Sequence, residues 1–215
     1  MDASLPATLK TLLHETIGLV TIFNPVAAAA IMVASSPNGL TGAESRAIGK
    51  KAALTVLAAS LLTVLLGNLV FRFFGINTSS VMVIGGIVLL MMALNMVQGK
   101  VSETSHSPEE SKAAIEKEDI SVIPLGIPVI FGPGAISTLM VFHASDPEIA
   151  GTLWLLGAVA VSVAVVFAVL AYADALTKAL GIHGMKIMTR IMGLIVGAIA
   201  VQFVIRGAKL LWGTL

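Results

Sequence analysis

Six stretches of this chain carry no Asp, Glu, Lys or Arg: residues 16–43, 52–71, 73–99, 120–145, 149–173 and 191–205. A helix needs about 20 mainly apolar residues to cross a hydrocarbon core of about 30 Å. The first five stretches meet that length. The sixth is short, but Arg190 and Arg206 at its ends can snorkel along their aliphatic stems, and Trp212 suits an interfacial anchor. Only 12% of the 215 residues are charged and 57% are apolar, with a mean hydropathy of +0.98. That is too little charge to cover a water-facing surface of this size. The expected class is an all-α membrane protein of six transmembrane helices.

The same arithmetic excludes several functions. A net charge of +1 gives no basic field for nucleic acid. Without Cys there is no thiol chemistry, and His14, His106, His143 and His183 lie far apart with no zinc-ligand spacing. No metal and no cofactor are expected. The opening MDASLPATLK lacks a cationic leader region, so no cleaved signal is expected. One long polar connection, residues 99–121, holds six of the twelve acidic residues. The organisation read from this is residues 1–98, three spans; 99–121, a cytoplasmic loop; and 122–215, three spans.

Sidedness follows from Lys and Arg. Lys10, Arg72, Arg206 and Lys209 fall on one side; the other nine Lys and Arg fall on the opposite side. The richer side is expected to be cytoplasmic, leaving both termini outside.

The two halves are alike in sequence. Ile22, Phe23, Asn24 and Pro25 align with Ile130, Phe131, Gly132 and Pro133. Asn68, Arg72, Gly75 and Ile76 align with Asp174, Lys178, Gly181 and Ile182, and Gly86 and Asn95 with Gly193 and Gln202. The offsets are nearly equal and in the right order. Three spans per copy force the second copy to enter the membrane from the opposite side, giving an inverted repeat, a common transporter plan.

Asn24-Pro25 and Gly132-Pro133-Gly134 sit mid-span at equivalent repeat positions. Proline removes a backbone donor and clashes with the preceding turn, so spans 1 and 4 are expected to break there. Asn is a good N-cap and Pro is favoured at the first helical position. Each break then starts a half-helix whose N–H groups attract anions. Asn24, Pro25, Gly132, Pro133 and Gly134 are therefore candidate substrate-binding residues. Ser137 and Thr138, one turn beyond the second break, either add hydroxyls to the site or pack helices.

Asn68, Asn95 and Gln202 are polar within spans, as helix glue or as site lining. Asp174 and Glu15 are the acids within or bordering spans that can relay a proton. Asp174 is preferred because its repeat partner, Asn68, is polar, although Lys178 lies one turn away as a surface partner. His143 is expected to be interfacial.

FNPVAAAAIMV, FFGINTSSVMVIGGIVLLMMAL, PLGIPVIFGPGAIST and RIMGLIVGAIAVQFVIRG together resemble the MarC-related membrane proteins, over essentially the whole chain. PLGIPVIFGPGAIST is the most specific piece. A more distant likeness is to the LysE-type superfamily of three-plus-three architecture. The resemblance implies a proton-coupled transporter of small neutral amino acids such as glycine and alanine. An exporter or channel for another small solute on the same fold is the rival. No enzymatic constellation and no P-loop is found, so a gradient supplies the work. The expected partners are the bilayer of a bacterial or archaeal inner membrane and a small-molecule substrate; homo-oligomerisation stays open.

Overall fold

The computed structural model describes residues 7–36, 39–99 and 120–213, setting aside the side chains of Ala7, Asn68, Arg72 and Ile182. Eight helical segments follow one another: α1 Ala7–Phe23, α2 Pro25–Ala34, α3 Gly42–Phe74, α4 Thr78–Gln98, α5 Ser121–Ile130, α6 Pro133–Ser145, α7 Ile149–Ala171 and α8 Ala173–Trp212. No strand occurs among the described residues. Thr8–Ala34, Gly42–Gly67, Thr78–Gln98, Ile149–Ala171 and His183–Trp212 are each long and apolar enough to cross a membrane. The pair α5 and α6, bent by 57° at its junction, makes a sixth crossing if it is taken as one unit. Of the polar connection, residues 100–119 lie outside the described residues.

Local chemistry sets where these helices begin and stop. Thr41 and Glu44 form a reciprocal capping box at the start of α3: Thr41 Oγ1 accepts from the Glu44 amide at 3.2 Å, and Glu44 Oε2 accepts from the Thr41 amide at 2.7 Å. Asn77 caps α4, its Oδ1 accepting from the Ser80 amide at 2.8 Å. In α5, Ile123 and Ile127 have extended dihedrals inside the helical run; each precedes a proline, which disfavours the α region for its neighbour. The turns of α5 are accordingly wide, with Leu125 N–H donating to Ile120 O and Phe131 N–H to Gly126 O. Both Ile–Pro peptide bonds here are cis. Near the start of α8, Gly181 adopts a φ of 61°, a left-handed setting that glycine takes without a Cβ clash.

Two boundaries differ from expectation. The first crossing begins at Thr8, not Thr16, and its helix stops at Ala34 rather than continuing to Ala43. A charge-free window must start after Glu15, but a carboxylate can lie inside a span when it faces the protein interior, and Glu15 is buried. The last helix also runs beyond the 191–205 window, because Arg190 and Arg206 are exposed on its surface and leave its hydrogen-bond ladder unbroken.

Large apolar side chains cover the outside: Leu69 is 65% exposed and Phe73 83%. In water such a surface aggregates; in a bilayer it meets lipid. Lipid leaves helices little hydrophobic reason to associate, so close packing of small residues takes over. The most extensive contact joins α4 and α8, followed by α3 with α7. The first pair is antiparallel, with Gly193 against Met96 at one end and Gly207 against Ser79 at the other.

The contacts come in exchanged sets. Both α1 and α2 lie on α7, as α5 and α6 lie on α3; α2 lies on α8, as α6 lies on α4. At the α4–α8 crossing, a Cβ on Gly86 would sit 2.7 Å from both Ala200 O and Val204 Cγ2. A Cβ on Gly193 would sit 3.1 Å from both Ala93 O and Val97 Cγ2. Any larger residue at either glycine would push the two backbones apart.

Candidate functional site

The bundle holds two proline-headed helix starts, the first buried and the second partly exposed. At the first, Asn24 takes a left-handed conformation, φ 45° and ψ 60°, which Asn tolerates better than most residues. Its backbone continues the ladder on both sides: Asn24 N–H donates to Val20 O, and Asn24 O accepts from Ala28 N–H. Its side chain caps α2, Oδ1 accepting from the Ala27 amide at 3.4 Å, with Pro25 at the first helical position. The side-chain amide faces Met96 Sδ of α4 at 3.9 Å. A thioether is a weak acceptor, so this buried donor is poorly satisfied.

At the second start, Gly132 is extended and has no side chain to cap with; its carbonyl accepts from Ala135 and Ile136 at the head of α6. Pro133 is exposed and Gly132 half-buried, while Gly134 is buried. A Cβ on Gly134 would come within 2.6 Å of Leu89 Cδ2 on α4. Ser137 lies against Gly85 of the same helix. Thr138 is fully buried and donates to Gly134 O at 2.8 Å, so its proton is engaged while its lone pairs stay free to accept.

The two starts are neighbours. Phe23 and Phe131, the residues just before Asn24 and Gly132, are both buried, with ring centroids 6.5 Å apart and planes inclined by 44°. Both starts also touch α4, through Met96 on one side and Leu89 on the other.

A family model described as MarC family integral membrane protein matches residues 9–212. The chain belongs to the MarC family. It is 34% identical over 203 residues to a UPF0056 membrane protein of Pyrococcus abyssi, covering 94% of this chain and 96% of that one. The UPF0056 membrane protein YvbG of Bacillus subtilis is 36% identical over 202 residues, 92% of this chain and 94% of the relative. YhcE of Escherichia coli is 30% identical over 193 residues, 90% and 89% respectively. No solved structure matches the chain.

The remaining polar positions of this MarC family protein are dispersed. Asn95 is half-buried on α4, next to the Met96 that faces Asn24. Gln202 is exposed on α8, on the wall of a cavity that no residue of either helix start lines. Asn68 belongs to α3, and its side chain lies outside those described. His143 Nδ1 lies 3.4 Å from Thr152 Oγ1, near the turn between α6 and α7.

The two acids differ sharply in setting. Asp174 is in the first turn of α8, its carboxylate accepting from Lys178 Nζ at 2.7 Å, with the lysine 75% exposed. Glu15 is 6% exposed, and its Oε2 has no hydrogen-bond partner among the described residues. The repeat alignment alone favours Asp174, whose partner Asn68 is polar. The signal for Glu15 was present: it sits one helical turn before the apolar run of α1, on the face that carries Gly18, Leu19 and Ile22 inward.

Proposed function

We propose that this protein is a secondary transporter of small neutral amino acids, of the size of glycine and alanine, coupled to protons. In this reading six spans form two inverted three-helix repeats, with spans 1 and 4 broken at Asn24-Pro25 and Gly132-Pro133-Gly134. The observation that carries it is the meeting of Phe23 and Phe131. They are equivalent in the sequence repeat, and equivalent residues touch one another only where a two-fold axis passes between them. The reciprocal seats of Gly86 and Gly193 support the same axis, since Ala93 and Val97 align with Ala200 and Val204 at the offset that relates the two glycines.

An axis between the two proline-headed starts supports a substrate site there. Helix N-termini carry roughly half a positive charge, which suits a carboxylate, and the Asn24 amide facing only a thioether supplies a donor in want of a better acceptor. Carbonyls at the ends of α1 and α5 suit an ammonium group. Leu89, Met92 and Met96 of α4 pack closely against the two starts, which favours a small side chain. The substrate class itself comes from the family resemblance. The Lys and Arg distribution supports a cytoplasmic membrane with both termini outside.

The test is uptake into proteoliposomes of labelled glycine, alanine, serine, leucine and lysine, with and without an imposed pH gradient. Accumulation of the small neutral members that collapses with the gradient is the expected result. Equal behaviour toward all five, or no uptake, would overturn the proposal.

A further inference from the structure

Between α1, α6 and α8 the bundle forms a partly open cavity of about 610 Å³. Its walls carry both signs of charge: Lys10, His14 and Glu15 from α1, Asp146 from the end of α6, and Gln202 and Arg206 from α8. Phe142 and Phe203 also line it, stacked edge to face with centroids 6.4 Å apart, so the polar groups surround an aromatic wall.

Glu15 is the group this cavity leaves unanswered. The residue is 6% exposed and its Oε2 is buried with no donor among the described residues. A carboxylate oxygen removed from water without a partner is costly, by several kcal/mol in a medium of low polarity. The neighbouring cations do not relieve it: neither Lys10 nor Arg206 lies within ion-pair distance of Glu15 among the described residues. Because Glu15 lines the cavity, a turn of its side chain toward that space gives the oxygen a donor from outside. A compact ammonium, with three N–H groups, satisfies a lone carboxylate better than water does. Arg206 and Lys10 on the same walls give the opposite end of such a molecule a counter-charge.

We propose that this cavity is a second binding site, for the ammonium group of a small zwitterion, with Glu15 as the ammonium acceptor and Arg206 as the partner of the carboxylate. It is distinct from the helix starts at Asn24 and Gly132, none of whose residues line it. Lys10 and Arg206 place it at the end of the bundle where α1 begins and α8 finishes. The choice of a zwitterion rests on the transporter reading; the ammonium site at Glu15 does not.

The experiment uses the full chain purified in detergent, with labelled methylamine as the probe of the ammonium site. A methylamine site that depends on Glu15 is expected, from which glycine displaces the probe and acetate does not. Glu15→Gln is expected to weaken methylamine binding at least tenfold. Gln202→Lys, a change at an exposed position that brings an internal ammonium to the same walls, is expected to do likewise without depending on how Glu15→Gln folds. Arg206→Gln is expected to keep methylamine but to make glycine at least tenfold less effective as a displacer. Wild-type protein that fails to bind methylamine, or variants at Glu15 and Gln202 that bind it normally, would overturn the site. Arg206→Gln with unchanged displacement would overturn the zwitterion. Methylamine binding without amino-acid transport fells only the transporter reading, and transport without methylamine binding fells only this one.

Discussion

Phe23 and Phe131 lie ring against ring, 6.5 Å between centroids, each two residues before the proline that heads a helix. They are separated by more than a hundred residues and by the whole polar connection, yet both are buried in one cluster with Leu19, Ile22 and Ile130. This contact ties the two halves of the chain together beside the two prolines that head α2 and α6. Its energetic share can be measured. An aromatic pair contributes about 0.5–1.5 kcal/mol beyond the area it buries, so a double-mutant cycle of Phe23→Ala and Phe131→Ala should show a coupling of that size. Unfolding in mixed detergent is the measurement; strictly additive losses would mean that the rings do not act as a pair.

The α4–α8 crossing predicts paired sensitivity. Gly86→Val and Gly193→Val should each destabilise the protein by about 1–3 kcal/mol, the usual cost of overpacking, because both glycines face backbone carbonyls and cannot be relieved by a side-chain rotation alone. Thermal unfolding of each variant is the readout. One variant melting like wild type while the other collapses would contradict the exchanged contacts.

Loss of the Asn24 cap should be felt in stability and in binding. Asn24→Ala removes the acceptor for the Ala27 amide and should cost about 0.5–2 kcal/mol. Asn24→Asp keeps the acceptor and removes the donor facing Met96, so it should retain the cap yet bind glycine more weakly than wild type. Equal glycine affinity in all three proteins would detach Asn24 from the substrate site.

Asp174 allows a clean separation of fold from coupling. Its pair with Lys178 is largely solvent-exposed, and such pairs contribute about 0–1 kcal/mol. Asp174→Asn should therefore fold and melt as wild type does, while losing concentrative uptake and sparing counterflow. Undiminished concentrative uptake would remove Asp174 from proton coupling.

Orientation is checked without any transport assay. A reporter active only outside the cytoplasm, fused after Leu215, should be active, and one inserted among residues 100–119 should be silent. The reverse pattern would invert the assignment.

The sequence alone determined the class, because apolar stretches of bilayer length without charge have no other stable environment, and a hydrogen-bonded helix is their cheapest backbone. It also determined the helix starts: Asn24-Pro25 and Gly132-Pro133 act through neighbours one to four residues away, and α2 and α6 begin at those prolines. Span boundaries followed less well, since a charge count stops at Glu15 whether or not the residue is buried. Only the tertiary structure decided which acid is enclosed. Asp174 and Glu15 are equally acidic in a string of letters; their difference lies in what α6 and α8 bring beside α1, and in the solvent that reaches the first turn of α8. The meeting of Phe23 with Phe131, and the mutual seats of Gly86 and Gly193, are likewise long-range contacts. Local propensity carries no information about them, because they are set by how whole helices pack.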